Sequence, residues 1–269
     1  MRTELLKMQL EIIAKIPTGH SRKTPILFVH GAWHGAWCWN EFFLPYFAQQ
    51  GYASYALSLQ GHGSSDVKKK LNSLRISDYV KDVAQVAADL PAQPILVGHS
   101  MGGLIVQKYL EKHSAPSAVL LASLPVGGLS RSALRMFMHH PMLFLRAGLT
   151  MNLHPFISTT KLVREAFFSE DIDTEILKKC FSQLQDESFL AFLDMVLLNL
   201  PHPEKTSTPL LILGAANDRV FSPKEVELTA RAYNAHSKIM ENMAHNMMLE
   251  RDWQKVANFI LNWLRENDL

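Results

Sequence analysis

Short apolar runs recur along the chain at intervals, and each is separated from the next by a stretch with a different pattern. A run of four to six apolar residues bounded by turn residues is typical of a strand that is buried on both faces of a parallel sheet. The N-terminal residues 1–16 alternate roughly between polar and apolar positions, which also favours strands. The remaining predicted strands are residues 25–29, 53–59, 95–97, 118–122, 209–214 and 237–241.

Between these runs, apolar residues recur three and four positions apart, which is the spacing of one face of a helix. Gly51 is expected to end the first helix, and Ser77-Asp78 is expected to cap the second, whose apolar face is Tyr79, Val83, Val86 and Leu90. The predicted helices follow the strands at residues 39–49, 77–90, 101–110, 223–233 and 249–264.

Strands that alternate with helices predict an α/β fold with a mostly parallel central sheet and helices on both faces. The rhythm is interrupted between residues 124 and 207, where the pattern is helical and no strand is indicated. We therefore expect a core domain formed by residues 1–123 and 208–269, with residues 124–207 as a helical cap inserted over it. Functional residues are expected in the loops at the carboxyl edge of the sheet.

Composition narrows the range of partners. The chain has 269 residues, 48% apolar content and a net charge of +2, so nothing suggests nucleic acid, and the run Lys68-Lys69-Lys70 is interpreted as a solvated loop. The two cysteines, Cys38 and Cys180, form no CxxC pair or metal spacing, which favours a reduced, cytoplasmic setting. Residues 1–16 do not resemble a signal peptide, and no apolar run is long enough to cross a bilayer. The oligomeric state stays open.

One motif stands where a strand meets a helix, and it reads Gly98-x-Ser100-x-Gly102. A serine on such a tight turn has an exposed hydroxyl, and the crowding favours glycine two positions before and after it. The start of the helix adds unpaired N–H groups, which suit a site where an oxyanion forms. This turn resembles the nucleophile elbow of the α/β-hydrolase superfamily.

The resemblance extends to three further loops and implies a catalytic triad. Asp218 follows a predicted strand, and His245 lies in the last loop before the last helix, so the order Ser100, Asp218, His245 is that of the superfamily. The backbone N–H groups of Ala32, after His30-Gly31, and of Met101, after the serine, are then expected to form the oxyanion hole.

Several neighbours of these residues have other interpretations. By the same resemblance His30 and His99 are structural, with ring nitrogens bound to nearby backbone. Trp33 follows the oxyanion residue and is a candidate substrate-binding residue, although packing under the cap explains it equally well. Asp186 and Asp194 lie in the cap and could replace Asp218 only if the catalytic acid had moved.

Motifs for other chemistry are weak. The adjacent pair His139-His140 has no third ligand at a suitable spacing, so no metal site is expected. The turn Gly61-His62-Gly63 resembles a turn common in the superfamily, and we assign it no chemistry. The sequence contains no glycine-rich phosphate loop, so no cofactor is expected.

The resemblance also bears on the reaction. A serine at position 100 excludes the dehalogenase and epoxide hydrolase classes, which need a carboxylate nucleophile. The stretch from His30 to Trp37 is similar to that of hydroxynitrile lyases, but those carry threonine where this chain has Gly31, and plant methylesterases share the glycine. The leading hypothesis is therefore a serine hydrolase that cleaves carboxylic esters of small or medium apolar substrates through an acyl-enzyme.

Three alternatives stay open at this point. The first is a monoacylglycerol or lysophospholipid lipase whose apolar cap contacts a lipid surface. The second is a carbon–carbon bond hydrolase, which would need polar cap residues such as Arg146 or Arg164 to face the site. The third is a receptor-like ligand binder with residual hydrolase activity.

Overall fold

A computed structural model describes residues 8–269, which contain one seven-stranded sheet in the order β1-β3-β2-β4-β5-β6-β7. The first strand runs antiparallel to β3, and every other neighbouring pair is parallel, as predicted. The part of the predicted N-terminal strands that falls on residues 1–7 lies outside the described residues. The strands are β1 (Ile12–Lys15), β2 (Ile26–Val29), β3 (Ser54–Leu57), β4 (Ile95–His99), β5 (Ala118–Leu121), β6 (Leu210–Ala215) and β7 (His236–Met240).

Helices cover both faces of this sheet. Alternate residues of a strand point to opposite faces, so in β2 Ile26 and Phe28 join one apolar core while Leu27 and Val29 join the other. The first core is completed by α1, α2 and α11, and the second by α3, α4 and α10. The helices are α1 (Trp37–Asn40), α2 (Phe43–Gln49), α3 (Ile76–Asp89), α4 (Met101–Leu110), α5 (Ser130–His139), α6 (Pro141–Thr150), α7 (Thr160–Phe167), α8 (Thr174–Gln183), α9 (Phe189–Leu193), α10 (Pro223–Ala232) and α11 (Trp253–Glu266).

The helix predicted over 39–49 is two helices, and a proline explains the break. Pro45 lies in the first turn of α2, where its missing N–H costs nothing. In a continuous helix its ring would clash with the carbonyl of Glu41, four residues earlier. The chain therefore leaves helical geometry at Phe42 and begins α2 at Phe43.

Two predicted helix starts were also wrong. The N-cap of α3 is Arg75 rather than Ser77-Asp78, because the Asp78 carboxylate accepts a hydrogen bond from the Arg75 amide at 3.2 Å. The last helix begins at Trp253, not near Leu249, because the carboxylate of Glu250 binds the Ser169 amide at 2.7 Å and residues 249–252 form a turn. Leu249 is buried in that turn, which is why its position fitted the helical pattern.

The chain between β5 and β6 forms α5 to α9 with short 3-10 and π turns, and no strand. Within residues 8–269, no helix combines the length and apolarity that a membrane span requires. Cys38 and Cys180 are buried free thiols.

The topology brings the candidate site residues to one edge of the sheet. Ser100 follows β4 directly, Asp218 comes shortly after β6, and His245 lies between β7 and α11. All three strands are parallel, so their carboxyl ends open on the same side.

Candidate active site

Ser100 occupies a strained backbone conformation at the junction of β4 and α4. Its φ is +52° and its ψ is −118°, a region that residues with side chains rarely adopt. Two backbone hydrogen bonds maintain this conformation. The Ser100 amide donates to Leu121 O at 3.1 Å, and the Ser100 carbonyl accepts from the Leu124 amide at 3.1 Å. The turn thus fixes the direction of the serine side chain.

The two glycines of the motif are required by close backbone contacts. A Cβ on Gly98 would lie 2.5 Å from the carbonyl oxygen of Gly102, and a Cβ on Gly102 would lie 2.3 Å from that of Val29. Both distances are far below van der Waals contact, and the atoms concerned are backbone atoms that cannot move aside. The sequence pattern therefore reflects the packing of α4 against β4 and β2.

His245 and Asp218 form a buried hydrogen-bonded pair. The distance from His245 Nδ1 to Asp218 Oδ2 is 2.8 Å, and both side chains are almost fully excluded from solvent. The other carboxylate oxygen of Asp218 accepts from the amides of Val220 at 2.7 Å and Phe221 at 3.0 Å. The carboxylate is therefore fixed, and it keeps the proton of a neutral His245 on Nδ1, which leaves Nε2 free to accept one.

The loop after β2 lies directly against the serine. A Cβ on Gly31 would be 2.9 Å from Ser100 Cβ and 2.9 Å from His99 Nδ1. The next residue is Ala32, whose amide is the first predicted oxyanion donor. Met101, which provides the second, is the first residue of α4, so its amide has no acceptor within the helix.

His34 and Asn246 connect this loop to the loop that carries His245. His34 Nδ1 donates to Ala32 O at 2.7 Å, and Asn246 Nδ2 donates to His34 Nε2 at 3.1 Å. Burial lowers the pKa of His34 to about 4, although its bond to Ala32 acts in the opposite direction. A neutral ring is what these two bonds need, since one nitrogen donates and the other accepts.

Sequence reasoning missed both residues as parts of the site. They are adjacent to predicted site elements, since His34 follows Trp33 by one residue and Asn246 follows His245 directly. That proximity was the one available signal. Nothing in either local pattern indicated that the two side chains would pair.

His30 and His99 form the ring-to-backbone bonds that were expected of them. His30 Nδ1 donates to Gly31 O at 2.8 Å while its Nε2 accepts from the Leu59 amide at 3.0 Å. His99 Nε2 donates to the carbonyl of His245 at 3.0 Å. Burial is the main cause that lowers the pKa of both rings well below the usual range. Both rings, including that of His99 packed against His245, are therefore uncharged near neutral pH.

An apolar cavity lies over Ser100 and His245, and its wall includes residues from the helices between β5 and β6. Its volume is about 60 Å³. Trp33, the predicted substrate-binding residue, lines this cavity. Its other lining residues are Ala32, Leu129, Ala133, Met136, Phe144, Phe156, Ile157, Ala166, Phe167, Phe192, Met195, Val220 and Phe221.

A buried ion pair attaches the segment between β5 and β6 to the turn after β3 and to α3. His62 Nε2 lies 3.2 Å from Glu187 Oε2, and the hydroxyl of Tyr79 donates to Glu187 Oε1 at 2.7 Å. Burial alone lowers the pKa of His62. The negative charge of Glu187, the hydrogen bond to Glu187 and the bond to the Gln60 carbonyl together outweigh burial, so the pKa is raised. The turn at Gly61-His62-Gly63 thus has a structural role that the sequence did not indicate.

The two rival carboxylates lie elsewhere. Asp194 accepts hydrogen bonds from Arg75 Nε and from the Ile76 amide, both at 3.1 Å, and so holds the start of α3. Asp186 is exposed. Among the described residues, the carboxylate that contacts the imidazole of His245 is that of Asp218.

A model of the alpha/beta hydrolase family matches residues 26–259. Methylesterase 2 of Arabidopsis thaliana is 33% identical over 93 residues, which are 34% of this chain and 35% of that protein. Methyl jasmonate esterase 1 of Vitis vinifera is 36% identical over 94 residues, with the same shares of 34% and 35%. The alignments thus span about a third of the length of these relatives.

Solved structures show the same fold over nearly the whole chain. An esterase from Exiguobacterium antarcticum superposes with a TM-score of 0.75 at 16% identity and covers 96% of each chain. At that identity the similarity concerns the fold alone, and it confirms the predicted α/β-hydrolase architecture.

Proposed function

Because the chain belongs to the alpha/beta hydrolase family, we propose that it is a carboxylic ester hydrolase that works through Ser100, His245 and Asp218. The single observation that carries this proposal is the bond from His245 Nδ1 to Asp218 beside a strained serine, with serine and histidine opening into one apolar cavity. A serine hydroxyl needs a base and an orienting group to become a nucleophile, and these residues supply both.

The reaction begins when His245 Nε2 accepts the Ser100 proton and the serine oxygen attacks the ester carbonyl. The carbonyl oxygen becomes an oxyanion, which accepts hydrogen bonds from the Ala32 and Met101 amides. His245 then donates its proton to the departing alkoxide. The alcohol is released, and the acyl group stays bound to the Ser100 oxygen. Water attacks this ester while His245 takes one of its protons. His245 then donates that proton to the Ser100 oxygen as the bond between this oxygen and the acyl carbon breaks, and the carboxylic acid is released.

The cavity supports a small or medium apolar acyl group. Its volume is modest and its wall is almost wholly apolar, with no aspartate, glutamate, lysine or arginine on it. An apolar group gains free energy when it is buried there, whereas a charged acyl group would lose hydration without gaining a partner. The similarity to two plant methylesterases, over a third of the chain, agrees with ester cleavage.

Carbon–carbon bond hydrolysis receives less support. That reaction needs a polar cap residue to hold a carboxylated substrate, and the candidates were Arg146 and Arg164. Neither belongs to the cavity wall, and Arg146 is exposed on α6. A receptor-like ligand binder would hydrolyse substrate slowly, whereas an enzyme would complete many turnovers, so the turnover rate distinguishes the two.

The test is hydrolysis of p-nitrophenyl esters from acetate to octanoate by the wild type, Ser100→Ala and Ser117→Ala. Ser117 is also a buried serine but lies before β5, away from the site. We expect turnover in the wild type and in Ser117→Ala, and a fall of at least 10³-fold in Ser100→Ala. A fluorophosphonate should add once, at Ser100, by mass spectrometry. Equal rates for wild type and Ser100→Ala would refute the proposal.

A further inference from the structure

Helices α5 and α6 expose an unusual concentration of large apolar side chains. Of the thirteen such side chains in residues 8–269, seven lie between positions 134 and 151. An exposed apolar patch of this kind marks an interaction surface rather than an ordinary protein exterior. The seven are Leu134, Phe137, Met138, Met142, Leu145, Leu149 and Met151.

The exposed residues follow the helical repeat. On α6, Met142, Leu145 and Leu149 form a stripe at spacings of three and four, and each is more than half exposed. On the opposite side of this helix, Ala147 is buried and Phe144 packs on Phe156. The helix is therefore apolar on both sides, and only its inner side is covered by protein.

Positively charged side chains lie on the same two helices as the exposed apolar residues. Arg131 on α5 and Arg146 on α6 are exposed, and neither is paired with a carboxylate within residues 8–269. The sequence contains no aspartate or glutamate between Glu111 and Glu165. Helices α5 and α6 therefore offer exposed cations beside exposed apolar groups and carry no acidic residue themselves. The carboxylates that contact them come from other elements, where Glu165 pairs with His140 and Glu225 with Arg135.

A further cationic loop lies against the end of α6. Asn72 Nδ2 donates to Met151 O at 2.9 Å, so the loop that carries the run Lys68-Lys69-Lys70 meets this helix pair. All three lysines are exposed, and Lys69 lies 3.1 Å from Asp78. The run lies at the border of the apolar surface, and the carboxylate of Asp78 neutralises part of its positive charge.

We propose that this surface, the docking face, binds an anionic phospholipid membrane. The docking face is defined as Arg131, Leu134, Met138, Met142, Leu145, Arg146 and Leu149. Apolar side chains with adjacent arginines suit the boundary between acyl chains and anionic head groups. A second copy of the chain fits less well, since two such faces would oppose arginine to arginine with no acidic residue to pair with them.

Docking would place the active-site cavity beside the lipid. Met136 of α5 and Phe144 of α6 line that cavity, so the helices that carry the docking face also form the wall over Ser100. Binding to lipid does not depend on turnover, and the Ser100→Ala variant keeps it. The two proposals can therefore fail separately.

The experiment measures partition of the full chain into phosphatidylcholine vesicles and into vesicles with 30% phosphatidylserine, by co-sedimentation. Two double variants test the face: Leu145→Ser with Leu149→Ser, and Arg131→Gln with Arg146→Gln. Matched controls on α10 are Leu228→Ser and the pair Lys224→Gln with Arg231→Gln, all exposed positions outside the face. Circular dichroism confirms that each variant is folded.

We expect binding to phosphatidylserine vesicles that weakens with salt, at least tenfold loss in each docking-face variant, and wild-type binding in the controls and in Ser100→Ala. Absence of binding to both vesicles, or equal losses in the controls, overturns the proposal. Dimerisation of the wild type that is abolished by Leu145→Ser with Leu149→Ser, without vesicle binding, assigns the face to a second copy and also overturns it.

Discussion

Asn246 and His34 join two loops of the candidate active site through one hydrogen bond, 3.1 Å long, between side chains 212 residues apart in the sequence. One end is tied to the Ala32 carbonyl through His34, and the other end adjoins His245 in the chain. The bond therefore sets the position of the predicted oxyanion donor relative to the predicted base.

This geometry predicts that His34 and Asn246 act as positioning residues. Replacing either, as His34→Ala or Asn246→Ala, should lower kcat roughly 10–100-fold and leave KM nearly unchanged, because misplaced groups reduce transition-state stabilisation more than binding. The double variant should fall no further than the worse single one, since both remove the same bond. Steady-state kinetics on a p-nitrophenyl ester measures this, and independent, multiplicative losses would contradict it.

Asp218→Asn should lower kcat roughly 10⁴-fold, as the same change does in a serine protease triad. Asparagine can keep its oxygen on the Val220 and Phe221 amides, and it then presents NH₂ to His245 Nδ1. The ring must accept at Nδ1 and carry its proton on Nε2, so it cannot take the proton of Ser100. Asp186→Asn, at an exposed position between α8 and α9, is the control. Comparable activity in the two variants would mean that Asp218 is not the orienting acid.

Gly31→Ala should lower kcat roughly 10–100-fold, because the new methyl group would lie 2.9 Å from Ser100 Cβ and from His99 Nδ1. The loop or the serine must shift to admit it. Gly127→Ala is a matched control, since a Cβ there meets no atom within 4 Å. Full activity in Gly31→Ala would show that the loop adjusts without disturbing the site.

The buried carboxyl of Asp82 should make the stability of the protein depend on pH. Burial raises the pKa of this carboxyl to about 6, although hydrogen bonds from Gln60 oppose the shift. The ordinary pKa of about 3.9 applies in the unfolded chain, so between pH 4 and 6 the folded state holds the extra proton. The free energy of unfolding therefore falls as pH rises through this window, by up to roughly 3 kcal/mol from this group.

The variant Asp82→Asn cannot titrate and can still accept from the Gln60 amide. Urea unfolding at pH 4 and pH 7 should show the variant gaining stability relative to the wild type at the higher pH. Asp186→Asn, at an exposed position, should follow the wild type at both values. An equal difference between Asp82→Asn and wild type at the two pH values would rule out the raised pKa.

The sequence predicted those features that depend on local pattern. Strand β4, its glycines and Ser100 are adjacent in the chain, so strand, turn and helix could be identified together, and the structure brings Asp218 to His245 as expected. The catalytic roles of these residues stay predictions.

The pairs formed across the chain could not be predicted in the same way. His34 with Asn246, and His62 with Glu187, are pairs of ordinary polar residues whose partners are fixed by tertiary packing. The split between α1 and α2 was in principle visible, because Pro45 forbids a continuous helix through Glu41. The apolar pattern of the segment obscured it.

The wall of the cavity predicts how acyl-chain preference can be changed. Phe192 lines the cavity, whereas Phe189 on the same helix, with ring centroids 6.3 Å apart, does not. Phe192→Ala removes the whole phenyl ring from the wall of this cavity, enlarges its volume of about 60 Å³ and should raise kcat/KM for octanoate relative to acetate at least tenfold. Each further methylene that can be buried contributes about 0.8 kcal/mol, so three added methylenes exceed this factor.

Phe189→Ala is the matched control for Phe192→Ala, because it removes the same side chain from α9 without opening the cavity. Loss of a packed phenylalanine also lowers stability, by roughly 3–5 kcal/mol when the ring is fully buried, so both variants are compared at a temperature where circular dichroism shows them folded. Phe192→Leu provides a milder change if the alanine variant unfolds. An unchanged ratio of octanoate to acetate rates in folded Phe192→Ala, or the same shift in Phe189→Ala, would show that the acyl chain does not occupy this cavity.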